Sequence, residues 1–130
     1  MVPRKRILFV DDQKDTCEVM KLILEEDGYE VQTTNTWEQT LALARDENFD
    51  LYILDLKFPD GLGLELCRKI RKFDTETPVV FYSAHSVQMT PQMVTAVGAQ
   101  ASISKTAYFE SLKEVIAQLL NKVENPAKHS

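Results

Sequence analysis

The sequence predicts an α/β protein built as one doubly wound, five-stranded parallel sheet flanked by five helices. Three observations lead there. The runs Ile7-Leu8-Phe9-Val10, Leu51-Tyr52-Ile53-Leu54 and Val79-Val80-Phe81-Tyr82 are apolar on successive residues, the pattern of parallel strands covered on both faces. Helical periodicity separates these runs, so strand and helix alternate. The connections are short, and right-handed crossovers then place helices on both sides of the sheet.

The elements follow in order. After the first run, Met20, Ile23 and Leu24 form the inner stripe of a helix from about Lys14 to Glu26, closed by Gly28. Tyr29 to Thr34 alternates and reads as a strand near the sheet edge. Thr36-Trp37-Glu38-Gln39 has the form of a capping box, opening a helix to about Asn48 with Trp37, Leu41 and Ala44 on one face. Leu66, Cys67 and Ile70 mark a helix after Gly63, and Thr90-Pro91 with Gly98 bracket a shorter one. Ala99 to Ser104 is the weakest strand by propensity. Leu112, Val115, Ile116, Leu119, Leu120 and Val123 keep the helical period to the end of the last helix. The domain is expected over residues 1–123. Residues 124–130 contain Pro126 and no apolar anchor, and read as a flexible tail or the start of a linker.

Composition narrows the class. A chain of 130 residues suits one core, and 44% hydrophobic with 27% charged residues is ordinary for a globular protein. The net charge of -5 argues against direct nucleic-acid binding, which needs clustered Lys and Arg. Cys17 and Cys67 belong to no metal-binding cluster, so a reduced, cytoplasmic setting is expected. No run of about 18 apolar residues exists, so no membrane span is expected. The basic start, Met1 to Arg6, is followed by too short an apolar run for a secretory signal. The cysteines, Trp37 and the methionines read as core or near-core packing.

Ligands of a parallel α/β sheet bind beyond the carboxyl ends of its strands, where the strand order reverses. Those ends carry Asp11-Asp12, Asp55, Ser83-Ala84 and Lys105. Three carboxylates converging there repel one another unless a cation intervenes. Oxygen-only ligands with few carboxylates suit Mg²⁺, or Mn²⁺ by the same donor preference. Lys105 supplies a compact positive charge for a phosphoryl oxygen, and the Ser83 hydroxyl can donate to another. Asp55 is then the nucleophile, forming an acyl phosphate. Singly, each residue has a plainer reading: Asp12 as a helix cap or turn residue, Lys105 as a solvated charge. Their joint occurrence at the strand ends carries the weight.

The segments Ile7 to Asp12, Leu54-Asp55-Leu56-Lys57-Phe58-Pro59-Asp60-Gly61-Leu62-Gly63-Leu64-Glu65-Leu66, Pro78 to Ala84, and Lys105 resemble the response-regulator receiver family of two-component signalling. The similarity runs from about Arg6 to Val123. It implies a flavodoxin-like receiver fold with strand order 2-1-3-4-5. It further implies that Asp55 is the phosphoacceptor and that Asp12, Asp55 and the backbone carbonyl of Lys57 ligate the metal, with Asp11 positioning it. Ser83 is implied as a switch hydroxyl and Lys105 as the partner of a phosphoryl oxygen. The implied donor is a sensor histidine kinase or histidine phosphotransfer protein. The implied receiver of the signal is an output protein or a C-terminal output domain beyond this chain. A monomer, or a weak dimer that depends on phosphorylation, is expected.

Two positions depart from the family pattern. Thr106 stands where a proline usually follows the lysine, so either a trans Lys105–Thr106 bond with an altered loop or a retained cis bond is expected. Ser102 replaces the usual inward-turning aromatic, a role left to Tyr82, to Tyr108 or to a different readout. Lys57 and His85 resemble positions that tune dephosphorylation.

Competing functions differ at identifiable residues. An aspartyl-nucleophile phosphohydrolase of the haloacid-dehalogenase type needs a second acid where Lys57 stands. A flavodoxin-like electron carrier needs a phosphate-cradling loop where Asp11-Asp12 stand, a poor neighbour for a flavin phosphate. A degenerate receiver, used only for binding, keeps support from Ser102 and Thr106. The expectation is a signalling domain, not an enzyme, assisting only its own phosphorylation and slow dephosphorylation.

Overall fold

The computed structural model describes residues 3–84 and 89–122. The chain runs β1 (Arg6–Val10), α1 (Lys14–Glu26), β2 (Glu30–Thr34), α2 (Trp37–Asp46), β3 (Leu51–Leu54), β4 (Lys57–Phe58), β5 (Gly61–Leu62), α3 (Gly63–Arg71), β6 (Val79–Ser83), α4 (Pro91–Ala96), β7 (Ala101–Ser104) and α5 (Phe109–Lys122). The main sheet is parallel throughout, in the order β2-β1-β3-β6-β7. Counted over its own strands, this is the expected 2-1-3-4-5.

Ile7 to Val10, Leu51 to Leu54 and Val79 to Tyr82 run through the central strands without a charged residue because both sheet faces are covered. Leu8, Val10, Tyr52, Leu54, Val79 and Phe81 pack on one side with Ala44, Leu66, Ile70 and Val94. Ile7, Phe9, Leu51, Ile53, Val80 and Tyr82 pack on the other with Met20, Leu24, Leu112 and Ile116. The strand order reverses between β1 and β3, which opens the crevice at their carboxyl ends.

A two-stranded antiparallel ribbon, β4 with β5, was not foreseen. Each strand has two residues, too few for a hydrophobic period to register. The Thr36 hydroxyl caps α2 by accepting from the Gln39 amide at 3.2 Å. The Gln39 side chain reaches the Asn35 amide at 3.3 Å, one residue earlier than the capping box predicts. Helix α2 stops at Asp46 because Glu47 is extended and its carboxylate is taken by Arg6 at 2.6 Å and Gln32 at 3.1 Å. Strand β7 starts at Ala101 instead of Ala99, since the Ala99 amide still closes the α4 turn on the Val94 carbonyl at 3.0 Å. Met93 is 39% exposed, correcting the packing role expected of every methionine. Val94 and Val97 supply the buried stripe of that turn and leave Met93 outside. Val123 and His85 lie outside the described residues.

At the far end of the sheet, Asp74 ties the α3–β6 loop together. It accepts from the Thr77 hydroxyl at 2.7 Å, the Tyr52 hydroxyl at 2.8 Å and the Thr77 amide at 3.0 Å. Burial opposes its charge, but these donors win and hold its carboxyl below the usual carboxylate range. With the folded value depressed, its stabilisation is present above the unfolded value near 3.9 and is lost as pH falls through the folded one. Asp74→Ala is expected to lose about 2 kcal/mol in urea unfolding at pH 7. The deficit should shrink on acidification; a constant deficit down to about pH 3 would refute the charge argument.

Candidate functional site

The main chain brings the strand ends together before any side chain acts. The Asp11 amide donates to the Thr34 carbonyl at 3.2 Å, and the Asp55 amide donates to the Val10 carbonyl at 3.1 Å. The Lys105 amide donates to the Ser83 carbonyl at 2.6 Å. Asp11, Asp55, Ser83 and Lys105 thus share one edge. Gly63 lets α3 start against it: a Cβ there would lie 2.0 Å from the Asp55 carbonyl oxygen.

The side chains converge on a charged centre. Asp11 is fully buried, and its Oδ2 accepts from the Lys105 ammonium at 2.6 Å while Oδ1 accepts from the Gln13 amide at 2.9 Å. Asp55 accepts from the Leu56 amide at 2.7 Å and from Lys105 at 3.3 Å. Asp11, Asp12 and Asp55 each present a carboxylate oxygen, all within 4.8 Å of one another. Burial pushes the Asp55 carboxyl above the usual range; the Lys105 ammonium opposes this and the Asp11 charge adds to it. Burial lowers the Lys105 pKa, but the two carboxylates outweigh it and the net shift is upward, so the lysine stays cationic. A cluster of hard oxygen donors whose charges are costly to keep together fits a hard divalent cation.

The other predicted residues separate into groups. Ser83 is buried at the end of β6, beside the centre. Lys57 opens the ribbon, with an exposed side chain. Ser102 is exposed on β7, opposite Phe81. Thr106 is exposed, and the Lys105–Thr106 bond is trans, as no described bond is cis. Tyr82 is buried, with the Lys105 ammonium 6.0 Å from its ring centre, whereas Tyr108 is 84% exposed.

Sequence reasoning missed the support beneath Asp11. The Asn35 amide group donates to the Asp11 carbonyl at 3.0 Å and to the Cys17 sulfur at 3.5 Å, and the Cys17 thiol donates to the same carbonyl at 3.4 Å. Burial, with the Asp11 charge, pushes the thiol up to about 11, so it remains a neutral donor. Applying the strand-end rule to β2, which stops at Thr34, would have exposed Asn35.

The family model described as "response regulator receiver domain" matches residues 7–117. The chain belongs to that family. The receiver is similar to the "uncharacterized transcriptional regulatory protein YkoG" of Bacillus subtilis, 33% identical over 87% of this chain and 48% of that protein. It also resembles the cell cycle transcriptional regulator CtrA of Caulobacter vibrioides, 29% identical over 96% of this chain and 53% of CtrA. The chain therefore spans about half the length of these curated relatives. Among solved structures, the response regulator TrrA of Thermotoga maritima in complex with Mg²⁺ and BeF superposes with a TM-score of 0.81 at 34% identity, covering 89% of this chain and 99% of TrrA. TrrA has also been solved in complex with the histidine kinase ThkA. No helix among the described residues is long and apolar enough to cross a membrane.

Proposed function

We propose that this receiver, over residues 1–123, accepts a phosphoryl group on Asp55 from a phosphohistidine of a sensor kinase or phosphotransfer protein, with Mg²⁺ as cofactor, in the cytoplasm. The observation that carries the reading is Lys105 Nζ lying 2.6 Å from Asp11 and 3.3 Å from Asp55, at the edge of the three-carboxylate cluster. An Asp55 carboxylate oxygen attacks phosphorus, the phosphorus–nitrogen bond breaks with its electron pair going to the imidazole, and an acyl phosphate forms. Lys105 offsets charge on a phosphoryl oxygen, and the Ser83 hydroxyl donates to another. Asp12, Asp55 and the Lys57 carbonyl would hold Mg²⁺, with Asp11 positioning it; the bound ion neutralises carboxylate and phosphoryl charge. The TrrA complexes with Mg²⁺–BeF and with a kinase support this reading, and the longer transcriptional-regulator relatives support an output segment or partner as its target.

Acetyl phosphate with Mg²⁺ is expected to add one acid-labile phosphoryl group, read by intact mass, and to add none to Asp55→Asn. No gain in the parent protein at any Mg²⁺ concentration overturns the reading in favour of a binding-only module.

The same substitution tests the electrostatics. The folded Asp55 pKa lies above the unfolded one, so the stability it contributes falls as pH rises through the window starting near 3.9. Without Mg²⁺ at pH 7, Asp55→Asn is expected to melt higher than the parent, and the two should converge near pH 3. An Asn variant that melts lower at pH 7 contradicts this.

A further inference from the structure

Lys105 reaches the acidic centre from a turn that lacks the proline expected after it, and the chain carries its own means of fixing that turn. Ser104 closes β7, and its hydroxyl oxygen accepts from the Thr106 amide at 3.1 Å. The Ser104 and Thr106 hydroxyls also share a 2.7 Å hydrogen bond, in which either can donate. The Ser104 carbonyl accepts from the Ala107 amide at 3.0 Å, and the Lys105 amide is held by Ser83 at 2.6 Å. Three consecutive amides, those of Lys105, Thr106 and Ala107, therefore each have an acceptor, and two of the three acceptors belong to Ser104. A residue whose flanking amides are fixed has little freedom to redirect its Cα–Cβ bond, so the path of the Lys105 side chain is set from below.

We propose that Ser104, with Thr106 as its hydroxyl partner, is a positioning residue that aims the Lys105 ammonium at Asp55 and at the phosphoryl group bound there. This rests on the reading of Asp55 as phosphoacceptor. The pair is separate from the acidic cluster, whose Asp11 is supported by Asn35 and Cys17 from the β2 side. Its main effect is therefore on the step in which Lys105 meets phosphoryl oxygen, because Asp11 keeps its support from Asn35 and Cys17 and Asp55 keeps the Leu56 amide when Ser104 is changed. Ser104 is half-buried and Thr106 exposed, so neither substitution opens a core cavity.

The test combines phosphorylation rates with metal affinity. Ser104→Ala is expected to lower the limiting rate of phosphorylation by acetyl phosphate about three- to tenfold at saturating Mg²⁺, the loss of one or two hydrogen bonds. Its Mg²⁺ dissociation constant, measured by calorimetry, should stay within about twofold of the parent. Thr106→Ser, which keeps the hydroxyl, should retain the parent rate, and Ser104→Ala should cause no further loss in a Lys105→Ala background. A parent rate in Ser104→Ala overturns the proposal, as does an equal loss in the Lys105→Ala background or a loss of Mg²⁺ affinity parallel to the loss of rate. These outcomes are distinct from failure of the Asp55 assignment, which would appear as no phosphoryl gain in the parent protein.

Discussion

Lys105→Ala is expected to slow phosphorylation of Asp55 about a hundredfold or more, measured with acetyl phosphate at saturating Mg²⁺, because it removes the fixed positive charge facing the reacting group. The same change acts on the resting protein. Lys105 is paired with the fully buried Asp11, and without it that carboxylate lies beside those of Asp12 and Asp55 with no ion-pair partner among the described residues. Breaking a buried pair costs several kcal/mol; the lysine side chain is 26% exposed, which reduces this to about 1–3 kcal/mol in metal-free buffer. Saturating Mg²⁺ should recover much of that loss while leaving the rate defect in place, since cation binding stabilises the fold by about 2.7 kcal/mol at a hundredfold excess over its dissociation constant. A Lys105→Ala protein phosphorylated within about threefold of the parent rate would refute a role in stabilising the reacting group.

Gly63→Ala is expected to cost about 3 kcal/mol of folding stability, an unusual penalty for one added methyl group. The new Cβ would meet the Asp55 carbonyl oxygen at 2.0 Å and the Leu56 Cα at 3.1 Å, both main-chain atoms that no rotamer change can move aside. The Gly63 amide also donates to the Leu56 carbonyl at 2.8 Å, so helix α3 can recede only by breaking the bond that docks it. Relief must come from displacing Asp55 and Leu56, which directly follow β3. Urea unfolding reads the stability loss, and a fall in the acetyl phosphate rate should accompany it. A loss under about 1 kcal/mol would show that the segment yields more easily than this packing allows.

The acidic and basic residues of the site were legible because the rule locating them needs only strand ends, and runs such as Leu51 to Leu54 mark those ends clearly when both sheet faces are covered. Asp11, Asp55 and Lys105 follow directly. Asn35 was within reach of the same rule applied to the end of β2, whereas Cys17 was not legible as site support, because its role depends on β2 pairing with β1 so that Thr34 stands beside Val10, a relation between strands that no local pattern encodes. The Ser104 contacts were hidden for a similar reason: a hydroxyl in a weak edge strand reads as a group facing water until the turn that brings Thr106 against it is seen. The ribbon escaped because its strands are shorter than any period, and Met93 because a helix of fewer than two turns offers too few positions to show which side is inward.

Trp37 is the chain's single tryptophan, and its indole nitrogen is the one buried side-chain polar atom without a hydrogen-bond partner among the described residues. Its ring stands edge-on to Phe58, with centres 6.1 Å apart, against the ribbon that begins two residues after Asp55. The protein therefore carries a built-in optical probe against the ribbon that follows Asp55. A buried indole without a protein partner emits towards the blue, and a shift of the ribbon that exposed the N–H would move that emission to the red. If metal uptake or phosphorylation moves the ribbon, intrinsic emission at this one residue is expected to report it without an attached label.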